Sequence, residues 1–429
     1  MTPLDKTTVR PWLFHYETQN RYSHAMTQTP KNLPMWQVLV CGALIVSIAM
    51  GIRHGFGLWM QPMTQFMGWG REDFAMAIAV QNISWGLIGV FSGMLADRYG
   101  AFRVIIFGAL AYALGLFGMA HAASPSALVL FAGVMVGAAQ AGTTFAVVFG
   151  VIGRNIAPER RSWAMGVVSA AGSFGQFLMV PTESLLITEW GWQQALVILA
   201  VGVLIILPLS LGLREHGFAN GQVALRHQSI WQALREAFGY RSFQLLMAGY
   251  FVCGFQVVFI GVHLPSFLKD QGMSPQLAST ALALIGLFNI FGTYAAGSLG
   301  QVVAKHKILS GIYLARGIII AIFISLPITP LSVYIFAASM GLLWLSTVPV
   351  TNALIAQIFG VSHLSMLSGF VFLSHQVGSF LGVWLGGLIY DRTGSYDQVW
   401  YLTIALSLFA TLINLPVREA EINRAPVAA

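Results

Sequence analysis

Long apolar segments alternate with short polar turns along most of the chain, from Trp36 to Pro416. Each segment holds about 20 residues, the length of helix that crosses about 30 Å of hydrocarbon. The turns between them are too short to build a soluble domain. The pattern therefore predicts twelve transmembrane helices, numbered here as spans 1 to 12: 37–60, 73–96, 104–122, 126–151, 162–188, 193–213, 243–268, 276–302, 308–328, 331–358, 364–390 and 397–416.

Composition supports a membrane protein, because 57% of the residues are hydrophobic and only 9% are charged. An average soluble domain has roughly 25% charged residues. Cys41 and Cys253 both fall inside predicted spans, so no disulfide framework is expected. The sequence contains no phosphate-binding loop, nucleophile elbow or Cys-x2-Cys pair. It therefore predicts neither an enzyme nor a cofactor or metal site.

The distribution of Lys and Arg predicts the orientation, since these residues are retained on the cytoplasmic side of short loops. With the N-terminus inside, 17 of the 22 lie in cytoplasmic segments. The net charge of +7 is thus an insertion signal, and the lipid bilayer rather than nucleic acid is the expected partner. Residues 1–35 and 418–429 are predicted cytoplasmic tails, and 214–242 a cytoplasmic linker that includes a short amphipathic stretch.

An internal repeat relates the two halves of the chain. The stretch SGMLADRYGAFR follows span 2, and AGSLGQVVAKHK follows span 8 at an offset of 204 residues. Gly172-Ser173-Phe174 in span 5 recurs as Gly378-Ser379-Phe380 in span 11, at an offset of 206. The repeat predicts an all-α membrane protein made of two pseudo-symmetric six-helix bundles, 36–213 and 243–417, with a binding site near the midplane between them.

The loop ADRYG resembles the signature between helices 2 and 3 of the major facilitator superfamily. This resemblance implies that Asp97 and Arg98, with Arg103 nearby, clamp the cytoplasmic ends of the bundles and act as a gate. Alternatively, these residues only anchor the loop at the lipid headgroups. The second copy carries Gln301 and Val302 in place of Asp and Arg, so its clamp is expected to be weaker.

A finer resemblance links the chain to the bacterial monocarboxylate-transporter-like branch. It depends on FGLWMQPMTQFMGWGREDFAMAIA, on RRSWAMGVVSAAG and on the GW pair after span 5. The branch implies a secondary transporter of the inner membrane that moves a small organic anion of the carboxylate class together with protons. One departure concerns span 8, where many bacterial members carry Asn and then Arg four residues later. Here Asn289 is followed at that spacing by Thr293.

Arg53 is the strongest candidate for binding an anion. An ionisable side chain at mid-bilayer costs at least about 2.5 kcal/mol, so it is not expected to face lipid. In the superfamily, spans 1, 4, 7 and 10 line the cavity, and Arg53 lies on span 1 just before Gly55 and Gly57. Its guanidinium matches a carboxylate bidentately. The alternative is that Arg53 pairs permanently with Glu183 or a helix end and only braces the bundle. Arg316 lies on the outer span 9, where bracing or snorkelling is expected.

Three further titratable groups lie within spans. His263 lies seven residues after Gln256 on span 7, on the same helical face and two turns further along. It is predicted to bind substrate or sense protons near the outer gate. His375 on span 11 is a similar candidate. Glu183, after Pro181 in span 5, is predicted to be a proton-coupling site. Each of the three has a plainer alternative, because a packed histidine or a solvated carboxylate needs no functional role.

Uncharged polar residues on the cavity spans complete the predicted site. Gln140 and Thr144 form an i, i+4 pair on span 4. Trp344, Thr347 and Thr351 form a stripe on span 10, next to Asn352. The substrate-binding set predicted from the sequence is Arg53, Gln140, Thr144, Gln256, His263, Asn289, Trp344, Thr347, Asn352 and His375, with Gln81 and Asn82 available to complete the ring. Such residues also join membrane helices without binding anything.

Two other functions stay open from the sequence. Aromatic and Met-rich cavity spans, together with the missing arginine of span 8, allow efflux of an amphipathic or neutral compound. A transporter-like receptor would bind a ligand without moving it.

Overall fold

The computed structural model describes residues 33–215, 229–360 and 364–422, apart from the side chains of residues 97, 98, 158, 159, 161, 162 and 365. Throughout these ranges the regular structure is helical. The first half comprises α1 (Met35–His54), α2 (Met60–Met67), α3 (Arg71–Tyr99), α4 (Ala101–Ala120), α5 (Pro125–Leu128), α6 (Val136–Thr143), α7 (Phe145–Asn155), α8 (Pro158–Gly202) and α9 (Ile206–Leu211).

The second half repeats the pattern after α10 (Ile230–Gly239), an amphipathic helix capped by Ser229. It comprises α11 (Arg241–Asp270), α12 (Pro275–Leu299), α13 (Lys305–Ser325), α14 (Pro330–Leu343), α15 (Thr347–Phe359), α16 (Leu364–Thr393) and α17 (Asp397–Asn414). Short irregular helical turns, Phe56–Leu58, Val129–Met135 and Val203–Ile205, join neighbouring helices of the first half.

The twelve-span architecture predicted from hydropathy is confirmed. In the described ranges, ten helical segments are long and apolar enough to cross a membrane. One of these segments contains both span 5 and span 6, because α8 continues through a sharp turn at Gly191. Gly191 has φ of +79°, a conformation that favours glycine. The 18 residues of α17 pack along α13 and form span 12. The molecule is a multi-pass membrane protein.

Breaks interrupt three spans that the sequence predicted as continuous. Span 1 ends at His54 and is followed by a turn and the short helix α2. Span 4 breaks at Thr144, whose backbone is extended (φ −114°, ψ −160°). Span 10 breaks between α14 and α15 at residues 344–346. Irregular backbone at membrane depth is tolerated where protein surrounds it, which is the case for all three breaks.

The two halves pack through α8 against α12 and through α3 against α16. We call the end of the molecule that carries α2, Arg71, Asp270 and Asp391 the α2 face. The opposite end carries Arg103, Arg154, Arg241 and Lys305, and we call it the basic face. Mid-depth contacts between the halves include a hydrogen bond of 2.9 Å from Gln176 Nε2 to the carbonyl of Leu282.

Candidate substrate site between the two halves

A small pocket lies where the broken first span meets the second half. It has about 20 Å³ of free volume, room for roughly one water molecule. Both halves contribute to its walls: Arg53, His54, Gly57, Ile78 and Gln81 from the first, and Val257, Val258, Gly261, Val262 and Trp344 from the second.

The backbones of the two halves touch beside this pocket. A Cβ atom on Gly57 would lie 2.6 Å from the carbonyl oxygen of Gly261 and 2.7 Å from that of Val262. Only glycine permits such an approach, because any side chain would separate the two backbones. Gly57 therefore allows the turn after α1 to close the pocket on the side of the α2 face.

Arg53 reaches this pocket from the C-terminal end of α1. Its Nη2 donates a hydrogen bond of 2.5 Å to Asn82 Oδ1, and its guanidinium carbon lies 4.8 Å from the ring centre of Trp85. The Nε–H is buried without a hydrogen-bond partner. Within the described part of the chain, Arg53 forms no ion pair. The positive charge in the pocket is thus not neutralised by an acidic side chain.

Trp344, in the break of span 10, also lines the pocket. The residue is buried, and its indole Nε1–H has no hydrogen-bond partner. The residues that line the pocket therefore include one from each half with a buried, unpaired N–H donor. Buried donors without acceptors are unusual in a protein interior, and they suit a ligand that brings acceptor oxygens.

Glu183 on α8 lies next to the first break. It is fully buried and neither carboxyl oxygen has a hydrogen-bond partner. Its carboxyl group packs directly on Gly55, where even a Cβ atom would overlap it. An isolated carboxylate in a low-dielectric interior is very costly, so this environment favours the neutral acid. The predicted alternative of a pair between Arg53 and Glu183 is not found.

A network that we call the α2-face latch joins the two halves at the α2 face. Its first-half members are Gln61, Arg71 and Glu72; its second-half members are Asp270, Trp384, Asp391 and Tyr396.

A bidentate ion pair lies at the centre of the latch. Two nitrogens of Arg71 each donate to Asp270 at 2.7 Å, and Gln61 Nε2 donates to the same carboxylate at 2.9 Å. The guanidinium also stacks 3.7 Å from the ring centre of Tyr390. Paired, planar contacts of this kind are stronger than ordinary surface ion pairs.

Asp391 supplies a second link across the latch. Its carboxylate accepts hydrogen bonds from the backbone N–H groups of Arg71, at 3.1 Å, and Glu72, at 2.7 Å. These donors are at the N-terminus of α3, where a helix leaves its first N–H groups unpaired and favours negative charge. An acidic side chain of the second half thus caps a helix of the first half.

His263 contacts the latch through Tyr396. The Nε2 atom of His263 lies 2.8 Å from the carbonyl oxygen of Val383, which can only accept, so Nε2 carries the proton. Its Nδ1 then accepts from the Tyr396 hydroxyl at 3.1 Å, while that hydroxyl accepts from Arg71 at 2.9 Å. Burial raises the pKa of the Tyr396 hydroxyl, which keeps it protonated as a donor. The chain of bonds fixes His263 as the neutral form.

Comparison with known proteins identifies the family. The family model of the Major Facilitator Superfamily matches residues 39–348. The chain belongs to this superfamily. A relative in Bacillus subtilis, the uncharacterised MFS-type transporter YcxA, is 24% identical over 89% of this chain and 94% of its own length. Monocarboxylate transporter 13 of Rattus norvegicus is 24% identical, and the match covers 91% of each chain.

Solved structures of superfamily members share the fold. A bacterial homologue of the human lysosomal transporter Spinster, in an inward-facing and unoccupied conformation, superposes with a TM-score of 0.71. The match has 18% sequence identity and covers 92% of this chain and 99% of that chain. The family and the fold make this protein a membrane transporter and not an enzyme.

The predicted substrate-binding residues of this superfamily member divide into two groups. Arg53 and Trp344 line the pocket, and Gln140 lies one contact behind it, 3.5 Å from the pocket residue Gln81. Thr144 accepts a hydrogen bond from the indole of Trp85, the ring that lies under Arg53. These four positions form one connected region around the pocket.

The remaining candidates are engaged elsewhere in the bundle. Gln256 bonds Arg316 and Ser407 inside the second half, and His263 contacts the latch. Asn289 donates to Ser173 and accepts from the backbone N–H of Leu345.

Three other members of the predicted set lie in the second half. Thr347 contacts Cys253 at 3.3 Å. Asn352 bonds the carbonyl of Val348 in its own helix. His375 lies between Tyr250 and Phe372, with Gln376 and Ser379 as polar neighbours. None of these three is among the residues that line the central pocket.

Of the three predicted gating residues, only Arg103 has a side chain within the described part of the structure. The side chains of Asp97 and Arg98 lie outside the described residues. Arg103 is exposed, at one end of a groove formed by α3, α4 and α6. Sequence reasoning missed the latch residues Arg71, Asp270 and Asp391. A usable signal was present, because Arg71 is one of only three basic residues predicted on the non-cytoplasmic side.

Proposed function

We propose that this protein is a secondary transporter that moves a small organic anion, a carboxylate, together with protons by alternating access. The observation that carries the proposal is the position of Arg53. Its charge lies in a pocket between the two halves and has no acidic partner. A permanent cation in a dry interior needs a counterion, and a transported anion would supply one. The name of the monocarboxylate transporter relatives agrees with this substrate class.

The anion would be held from both halves at once. Arg53 offers a planar guanidinium, and Trp344 offers an indole N–H, so a carboxylate between them has donors on each side. The walls formed by Ile78, Val257 and Val262 suit an apolar remainder of the substrate. Because the pocket has room for only about one water molecule, a substrate enters only when the halves separate.

The direction of that separation follows from the latch. The α2-face latch holds the halves together at one end, so opening from the basic face requires no latch bond to break. By the retention of basic residues, the basic face is the cytoplasmic one. With this orientation, the proposal has both termini in the cytoplasm and the protein in the inner membrane of a bacterial cell. In the opposite state the Asp97, Arg98 and Arg103 region would close the basic face.

Glu183 is the proposed site of proton coupling. Its buried carboxyl group adjoins the break that carries Arg53, and its environment favours the protonated form in this state. When the halves reopen and water reaches the break, ionisation of Glu183 costs less free energy because water solvates the carboxylate. Release of the proton would then accompany the change in access, which is the linkage a symporter requires.

The experiment is a thermal-shift screen of the purified protein with carboxylates, sulfonates, amino acids and lipophilic compounds. Carboxylates are expected to raise the melting temperature of the parent and not of Arg53→Ala. Arg154→Ala, which removes an arginine paired with Glu215 at the basic face, is the matched control. Stabilisation of Arg53→Ala by organic anions to the same extent as the parent would show that the anion site is wrongly assigned.

A second candidate is efflux of an amphipathic or neutral compound, favoured by the apolar and aromatic pocket walls of Ile78, Val262 and Trp344. Under this alternative, lipophilic compounds and not carboxylates stabilise the protein in the same screen. Counterflow in proteoliposomes separates either transporter from a receptor, because a receptor binds labelled ligand without exchanging it.

A further inference from the structure

Arg316 lies in the middle of α13 and is fully buried. It donates to the carbonyl of Leu343 from Nε at 3.2 Å and from Nη2 at 2.6 Å, and Nη2 also donates to the carbonyl of Trp344 at 2.6 Å. Its Nη1 donates to Gln256 Oε1 at 3.2 Å. The predicted snorkelling of this side chain toward the basic face does not occur.

The acceptors explain why a cation is stable at this depth. Leu343 is the last residue of α14, and the final carbonyl groups of a helix have no intrahelical partner. They also carry the partial negative charge of the helix dipole. In a bilayer core such groups must be satisfied by protein. One planar guanidinium satisfies the broken end of span 10, and the broken end in turn accommodates the charge.

The internal repeat shows that this arrangement belongs to the second half only. The position 204 residues before Arg316 is Tyr112, which donates to the carbonyl of Ala49. Among the described residues, each half has one arginine within a span: Arg53, half-buried, on the cavity span 1, and Arg316, fully buried, on the outer span 9. One is exposed to the pocket, and the other is fully engaged with backbone.

The broken segment that Arg316 holds is part of the central pocket. Trp344, whose carbonyl it bonds, is itself a pocket residue with an unpaired indole N–H. Gln256, its other partner, precedes the pocket residue Val257 on α11. Arg316 does not line the pocket itself. The second-half walls of the pocket come from α11 and from the break at Trp344, and Arg316 bonds one residue in each of them.

We propose that Arg316 is a positioning residue of the central site: it fixes the break in span 10 and thereby sets the place of Trp344 in the pocket that Arg53 also lines. The effect of Arg316 on substrate binding rests on the proposed function, whereas the hydrogen bonds by which Arg316 fixes the break do not. A lysine would keep the charge but could not reach all of these acceptors in a planar arrangement, because an ammonium is a compact point charge.

Cys253 provides a readout that needs no substrate. Its sulfur lies 3.3 Å from the hydroxyl of Thr347, the first residue of α15, and the thiol is buried. Release of the break would expose it. In a Cys41→Ser background, we would measure the rate at which N-ethylmaleimide modifies Cys253, by mass spectrometry. Arg316→Ala is expected to raise this rate about tenfold, and Arg316→Lys less, because local opening becomes easier.

Tyr313→Phe is the matched control. Tyr313 lies one turn away on α13 and donates to the carbonyl of Gly249 at 2.6 Å. Its ring centre lies 5.4 Å from the Arg316 guanidinium carbon, a contact that phenylalanine keeps. Its removal should leave the modification rate unchanged. If Tyr313→Phe speeds modification as much as Arg316→Ala, Arg316 is only one of several general braces and the proposal is overturned. Parental rates in both Arg316 variants overturn it as well.

Chemical rescue tests the guanidinium itself. Added guanidinium chloride is expected to slow modification in Arg316→Ala, whereas sodium chloride at equal ionic strength is not. Equal effects of the two salts would contradict a specific fit. Where Arg316→Ala does not fold, Arg316→Lys gives the same comparison with the parent.

A binding measurement with benzoate as the probe carboxylate separates the two proposals. Arg316→Lys is expected to weaken benzoate stabilisation about tenfold in half-maximal concentration, as small displacements of a binding group do. If benzoate does not stabilise the parent while Cys253 modification changes as expected, the carboxylate assignment fails and the hold of Arg316 on the break stands. If benzoate binds the parent and both Arg316 variants equally, the positioning role fails.

Discussion

The carboxyl group of Glu183 lies directly on Gly55, at the break that ends α1, and neither of its oxygens is hydrogen-bonded. Two residues earlier, Arg53 has no acidic partner either. An unpaired acid and an unpaired base therefore flank the same turn of span 1. Under the proposed function, their separation keeps Glu183 available to a proton and Arg53 to an anion.

Gly55→Ala is expected to destabilise the protein by about 1–3 kcal/mol, since a methyl group would overlap the Glu183 carboxyl. Glu183→Ala should restore much of that loss by making room. Thermal unfolding of the two single variants and the double variant measures the coupling. Additive losses would show that the two positions are independent.

Glu183→Gln should separate the exchange of substrate across the membrane from the proton-driven accumulation of substrate. The amide has the size of the protonated acid but cannot ionise, so binding and counterflow are expected to persist. Uptake driven by a proton gradient should be lost. Both are measured in proteoliposomes with the best carboxylate from the thermal-shift screen. Gradient-driven accumulation at the parental level in this variant would remove Glu183 from the coupling mechanism.

Asp270→Asn should open the α2 face, because it removes the charge that pairs with Arg71. The readout is maleimide labelling of Gln61→Cys, a latch position that is buried when the face is closed, in a background without native cysteines. Labelling is expected to rise about tenfold, the effect of losing roughly one charge-assisted hydrogen bond.

The swapped pair Arg71→Asp with Asp270→Arg should recover part of the protection. Glu215→Gln, which removes an ion pair within one half at the basic face, is the control and should have no effect. Equal labelling of Gln61→Cys in all these variants would mean that the latch does not hold the α2 face closed.

Tyr396→Phe should weaken the latch through two residues at once. Without the hydroxyl, His263 Nδ1 loses its donor and Arg71 loses an acceptor. His263→Gln should be milder, because an amide can also donate on one side and accept on the other. The same Gln61→Cys labelling ranks the two. A stronger effect of His263→Gln than of Tyr396→Phe would contradict an arrangement in which the Tyr396 hydroxyl bonds both His263 and Arg71.

Trp344→Phe keeps an aromatic wall and removes one N–H donor from the pocket. Affinity for a carboxylate is expected to fall several-fold, consistent with the loss of one hydrogen bond to a charged group. Affinity for a neutral lipophilic compound should be almost unchanged. Isothermal titration of the parent and the variant with both ligand types checks this. Equal losses for both ligands would indicate a packing role.

The sequence by itself determined the number of spans and their pairing into two halves. Span length is a local property, because bilayer thickness and the need to satisfy backbone groups within one helix leave little choice. The repeat at Gly93 and Gly297 likewise needed no coordinates. The sequence also predicted the position of Arg53 within span 1, because a charged residue inside an apolar segment can be recognised from that segment alone.

Only the tertiary structure decided which polar groups meet. Arg71 and Asp270 are 199 residues apart, and no local pattern encodes their pairing. The break in span 10 is bonded by Arg316 and Asn289 from two other helices, which pair backbone groups that span 10 leaves unpaired. Hydropathy sets where a helix lies, but the partner of a buried polar group depends on how twelve helices pack against each other.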